Sequence, residues 1–187
     1  IDENGNIMNG ESDDHSSTRR KLPKISRIEI CGSAVSPFCI QQLFRGIYSH
    51  AAILLSSSST FENDDFSPIR SLSLSNCNFL PDSIQKMAKE VKDRSYTLDN
   101  ERRHTEDCSL QYLNLFSCRL SDKEAATLVN ALNRYKHPLK YLDLGKNRCH
   151  HATFQALGNW MASSHCKLES LNLSLQQLGF DVEHWNP

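Results

Sequence analysis

Leu110, Leu113, Leu115, Cys118 and Leu120 form a spacing that returns 29 residues later as Leu139, Leu142, Leu144, Asn147 and Cys149. It returns after another 29 as Leu168, Leu171, Leu173, Gln176 and Leu178. Few structures satisfy such a pattern. The first, fourth and sixth positions of each copy point to one side of an extended segment, and the third, fifth and seventh point to the other. A unit of this length cannot bury its own aliphatic row, so it must stack on its neighbours, and the rows then merge into one core.

Two earlier units become visible once the spacing is known. Ile25, Ile28, Ile30, Ser33 and Val35 form the first, and Ile69, Leu72, Leu74, Cys77 and Phe79 form the second. The intervals from 25 to 69 and from 69 to 110 are 44 and 41 residues, an excess of 15 and 12 over the period of 29. Both excesses fall before the next strand, which predicts insertions near 51–67 and 93–108 projecting from one rim. Helices are predicted over Pro37–Ser49, Pro81–Lys92, Ser121–Tyr135 and His151–Ser163. Their apolar stripes include Phe38, Ile40, Leu43, Phe44 and Ile47 in the first, and Phe154, Leu157, Trp160 and Met161 in the last. Ser121 and Glu124 have the spacing of a capping box.

Parallel strands need crossovers of a dozen residues or so, which these helices supply. The expected fold is α/β: a right-handed solenoid, a short horseshoe of about five repeats, with a parallel sheet on the concave face and helices on the convex face. It spans residues 25–178. Residues 1–24, rich in Asn, Asp, Glu, Ser and Gly, read as a disordered N-terminal segment, and 179–187 as a C-terminal tail in place of a fifth helix. Ser33 and Gln176 depart from the Cys or Asn expected at the ninth position, so the two end units are expected to be less regular.

The period, the helix-length crossovers and Cys77, Cys118 and Asn147 at the ninth position resemble the ribonuclease-inhibitor-like class of leucine-rich repeats. The resemblance covers roughly residues 25–178. It implies a protein-binding horseshoe, as in the ribonuclease inhibitor, Ran GTPase-activating protein, tropomodulin-type actin regulators, the sensor arms of NOD-like receptors, and centrosomal or ciliary scaffolds. No motif selects among these.

The outward strand positions map the candidate face. Tyr112, Phe116 and Tyr141 cluster at its centre, ringed by Asn114, Asp143, Lys146 and Asn172. Aromatic anchors within a polar ring suit a protein-binding hot spot; ordinary strand residues without a partner are the competing account. The leading reading is a non-enzymatic protein–protein interaction scaffold that binds its partner on this face. The alternatives are a GTPase-activating protein of the Ran type, with Asn147, Arg148 and Asn78 as candidates, or a fragment of a larger receptor or centrosomal scaffold.

Other chemistry finds little footing. No Gly-rich phosphate loop, nucleophile elbow or H-E-x-x-H is present in the sequence. Cys149, His150 and His151 are separated from His165 and Cys166 by a helix that holds the two groups about 20 Å apart, too far for one zinc ion. No metal site and no cofactor is therefore expected. His165 is expected to interact favourably with a helix C-terminus, and His151 to be a surface residue. The net charge of −1, from 21 basic and 22 acidic residues, gives no general pull toward nucleic acid or a membrane surface, and no apolar run reaches the ~18 residues of a membrane span.

The seven cysteines are read as reduced thiols rather than a disulfide framework, and the protein as cytoplasmic or nuclear. Arg19-Arg20-Lys21 reads as a solvated lead-in or an import signal, and Ser56–Thr60 as a flexible tract or a phosphorylation site. A chain that opens Ile1-Asp2-Glu3 shows no signal peptide and no initiator Met, and is expected to be a processed form or a fragment. It is expected to be monomeric or part of a larger assembly.

Overall fold

The computed structural model describes residues 25–56, 69–99 and 110–176, with side chains over 25–48, 69–93 and 110–176. What is expected of residues 1–24 and 177–187, and of residues 57–68 and 100–109 in the insertions, lies outside the described residues.

Each motif begins with a short strand: β1 (Arg27–Glu29), β3 (Ser71–Ser73), β5 (Tyr112–Asn114), β6 (Tyr141–Asp143) and β7 (Ser170–Asn172). They form one parallel sheet in the order β1-β3-β5-β6-β7. The register aligns Ile28, Leu72, Leu113, Leu142 and Leu171 in a single row, so the fourth motif position meets its equivalent on every neighbour. Two further pairs of residues, β2 (Ala34–Val35) and β4 (Asn78–Phe79), make a small parallel sheet where the chain leaves β1 and β3. Helices α1 (Pro37–Ser56), α2 (Ser83–Asp99), α3 (Asp122–Arg134) and α4 (His151–Met161) follow their strands and pack in chain order. The result is an α/β repeat fold.

The core lies between sheet and helices. Leu72, Leu113 and Leu142 from the strands meet Ile40 and Phe44 of α1, Ile84 and Met87 of α2, Leu128 of α3 and Trp160 of α4, all buried. Burying each such side chain contributes roughly 1.5–3 kcal/mol. Three residues expected in the helical stripes are instead exposed: Phe38, Phe154 and Met161. The stripe of a helix in this fold is narrow, because flanking helices cover its sides only where a next helix packs. Ile25, at the start of the first unit, is also exposed.

Helices α1 and α2 outrun their expected ends at Ser49 and Lys92 by about two turns, to Ser56 and Asp99. The beginnings of both expected insertions are therefore helical. No Gly or Pro interrupts 48–56 or 92–99, so nothing in the backbone stops helix propagation there.

Turn geometry repeats as faithfully as the strands. The eighth motif residue is left-handed in every unit: Gly32 (φ 67°), Asn76 (φ 55°), Ser117 (φ 58°), Lys146 (φ 54°) and Leu175 (φ 54°). Only Gly and Asn adopt this conformation readily; elsewhere it costs about 1–2 kcal/mol. The ninth residue then stitches successive units together. Asn147 is fully buried; its Oδ1 accepts from the amides of Cys118 (3.1 Å) and Leu120 (3.0 Å), and its Nδ2 donates to the carbonyls of Leu115 and Leu144 (both 2.9 Å). The thiol of Cys118 donates to the Leu74 carbonyl, and that of Cys77 to the Ile30 carbonyl, each bonding back one unit. Burial pushes the Cys118 thiol up to about 12, which keeps it a neutral donor. Gln176 corrects the expectation of irregularity at one end: its amide accepts from the Cys149 N–H (3.0 Å) and donates to the Leu144 carbonyl (2.8 Å), as Asn147 does. Ser33, at the other end, bonds only locally, to the Cys31 carbonyl.

The helix ends are coupled across units. Ser121 caps α3, with the reciprocal Glu124 bond in place. Lys136 (φ 51°) then turns the chain out of α3, and the His137 amide bonds the Leu132 carbonyl in a left-handed C-terminal closure. His150, which precedes α4, offers no side-chain cap. Asp122 of the preceding unit supplies one: its carboxylate accepts from the amides of His150, Ala152 and Thr153 and from the Thr153 hydroxyl. Burial opposes its ionisation, but the bonds from Thr153, His150 and Ala152 outweigh it and hold the carboxyl at about 2. His165 acts at the other end of the same helix pair. Its Nε2 lies 2.8 Å from the Asn133 carbonyl, so this nitrogen carries the proton and caps the last turn of α3, not of its own helix.

Candidate functional site

The face of the sheet away from the helices carries the third, fifth and seventh residue of each motif. Its chemistry changes along the sheet. Unit one presents Arg27 and Glu29, paired at 3.2 Å. Unit two presents Ser71 and Ser75, both half-buried, with Ser73 fully buried between them. Units three and four present the aromatic cluster.

Parallel register places Tyr112 directly beside Tyr141. The rings stack with centroids 4.2 Å apart and planes 8° from parallel, and both remain half-buried. Burial, then the neighbouring Tyr112 and Asp143, push the Tyr141 phenol above its ordinary value. Phe116 sits apart from this pair, four residues along the chain from Tyr112, and lies over position 145 because that residue is glycine. A Cβ there would lie 2.9 Å from Phe116 Cδ2 and 3.1 Å from both Asn172 Nδ2 and Asp143 Oδ1, so a side chain would push the ring away. Phe116 therefore leans across the backbone of the next strand.

The fifth-position row has a structural duty that the sequence pattern did not reveal. Asn114 Oδ1 accepts from the Phe116 amide (2.8 Å), Asp143 Oδ1 from the Gly145 amide (2.8 Å) and Asn172 Oδ1 from the Ser174 amide (2.9 Å). Each is the side-chain turn typical of Asn and Asp, closing the strand exit. Asn172 also donates to Asp143 Oδ2 (3.1 Å). Asp143 is buried with both oxygens engaged, and so differs from the exposed polar ring member expected. Asn114 and Asn172 are half-buried. Their recurrence two residues before each turn was the available signal. Lys146 is exposed at the left-handed turn.

Of the candidates for GTPase activation, Asn147 is buried and bonded entirely to backbone, so it reaches no partner. Arg148 and Asn78 are exposed. The six described cysteines are free, and no group of three or more His, Cys, Asp or Glu among the described residues could hold a metal ion. No helix of the described residues is long and apolar enough to cross a membrane.

Two segments match family models, both of leucine-rich repeats: residues 68–87 match Leucine Rich Repeat and residues 106–127 match Leucine Rich repeat. They coincide with the strand, turn and first helical residues of units two and three. Neither match points to an enzyme family. No curated protein matches the chain.

Proposed function

We propose that this chain, which carries leucine-rich repeats, is a non-enzymatic scaffold that binds a protein partner on the open face of its sheet. Leucine-rich repeats generally mediate protein–protein interaction. In our reading the units continue as a right-handed solenoid of the ribonuclease-inhibitor-like type, with this face concave and the protein cytoplasmic or nuclear. Tyr112, Phe116 and Tyr141 supply the contact area, and Lys146 with the outer edges of Asn114 and Asn172 supplies selectivity, with Asp143 buried beneath and holding Asn172 in place.

One observation carries the proposal. The Tyr112 and Tyr141 rings, stacked at 4.2 Å, are held half-exposed on a strand face, and farther along it Phe116 is held half-exposed by a backbone arrangement that needs glycine at 145. Rigid, preorganised aromatics lose little entropy when a partner covers them. Affinity capture with wild type and with Tyr112→Ala/Tyr141→Ala tests it, with a thermal melt to confirm folding. Partners captured by the wild type should fall about tenfold or more with the double variant. Undiminished capture of every partner by a folded double variant would rule the face out.

A further inference from the structure

The rim beside the aromatic cluster is basic and unpaired. Lys146 at the eighth motif position, and Arg119 and Arg148 at the tenth positions of units three and four, are all exposed. Their backbones adjoin: the Ser117 amide bonds the Gly145 carbonyl at 2.8 Å, and the Arg148 amide bonds the Leu120 carbonyl at 2.9 Å. Arg119 and Arg148 thus hold the same motif position on neighbouring units, although Arg119 is left-handed (φ 58°) and Arg148 is not. Lys146 follows Gly145 directly, against which Phe116 lies.

No ion pair forms at any of these three cations among the described residues, whereas Arg27, Lys86 and Lys140 pair with Glu29, Glu90 and Glu169. The nearby carboxylates have other duties. Asp122 binds the start of α4, Glu124 closes the capping box, and Asp143 is buried against Gly145 and Asn172. In unit two the same rim carries the neutral Asn76 and Asn78. Three exposed like charges on adjacent units, none of them in an ion pair among the described residues, favour a carboxylate-bearing partner.

Resting on the face reading above, we propose that the partner segment is an acidic peptide with a large apolar side chain. The apolar group packs on Phe116, next to which Lys146 lies, the chain of the segment runs on toward the Tyr112–Tyr141 stack, and the carboxylates pair with Arg119, Lys146 and Arg148. Arginine forks bind carboxylates through two parallel hydrogen bonds, which sets the segment's direction across the sheet. Single-stranded nucleic acid fits less well. Each tyrosine already gives one face to the other, and the chain carries a net charge of −1.

Selection of random phage-displayed peptides on the intact protein at low ionic strength tests the proposal. Enriched peptides should combine Asp or Glu with a large apolar residue. Their binding should weaken about tenfold or more with Arg119→Glu/Arg148→Glu and by a smaller factor with Arg119→Lys/Arg148→Lys, which keeps the charge but loses the fork. Circular dichroism should show both variants folded. Neutral peptides lost on Tyr112→Ala/Tyr141→Ala but indifferent to the charge reversal would overturn this inference and leave the strand-face reading standing. Tighter binding of labelled oligo(dT) than of any acidic peptide, abolished by the reversal, would overturn it in favour of nucleic acid. No enrichment of any peptide would overturn both.

Discussion

Leu142 and Leu171 hold the same motif position on adjacent strands, yet Leu142 is sealed and Leu171 is only half-buried. Ile28, at the opposite edge, is half-buried as well. The motif dictates which way a side chain points. How deeply it is buried depends on having a unit on each side, so the central units carry the stability and the end units contribute less. The ninth position varies in the same direction. Asn147 bonds the turns of two units with five backbone partners, the side chain of Gln176 keeps two such bonds, and that of Ser33 makes only a local one.

The largest effect that would sharpen this contrast is from the aliphatic row. Leu142→Ala should cost about 3–5 kcal/mol and Leu171→Ala about 1 kcal/mol, read from urea unfolding midpoints. Equal losses would break the central-against-end distinction. Next is the ninth position: Asn147→Ala leaves two buried amides without an acceptor and should cost about 3 kcal/mol, against about 1 kcal/mol for Gln176→Ala.

Asp122 tests coupling between neighbouring units. Asp122→Ala should cost about 1–2 kcal/mol. Its folded carboxyl lies at about 2, below the ordinary 3.8, so the stabilisation is complete above the ordinary value and disappears as pH falls through the folded one. Between pH 4 and 2 the wild type should therefore lose stability more steeply than the variant, as followed by fluorescence-detected urea titration at each pH. The smallest effect is at the end turn. Leu175→Gly relieves a left-handed residue but adds unfolded-chain entropy, and should raise stability by no more than about 1 kcal/mol in thermal melts.

Much of the fold is legible in the residues. Leu113, Leu142 and Leu171 align because a 29-residue period returns each to the same place. Ser121 and Glu124 announce the α3 start through chemistry local to one turn. The helix ends at Ser56 and Asp99 were missed because period arithmetic assigns surplus residues to loops, whereas no Gly or Pro in 48–56 or 92–99 stops the helix from running on. The stripes over-reached at Phe38, Phe154 and Met161, since periodicity marks a face without saying whether anything covers it. At the candidate site the residues Tyr112, Phe116 and Tyr141 were visible as outward aromatics, but the duty of Asn114, Asp143 and Asn172 in closing the turns was not.

Sequence alone determined the repeat, the inward aliphatic row and the outward placement of the aromatics, because strand alternation and a constant period are local and additive. Tertiary structure decided the rest. Asp122 caps a helix 29 residues onward, and Gly145 makes room for a ring from the unit before it. Each of these depends on the distance between neighbouring units, a quantity that arises only when they pack.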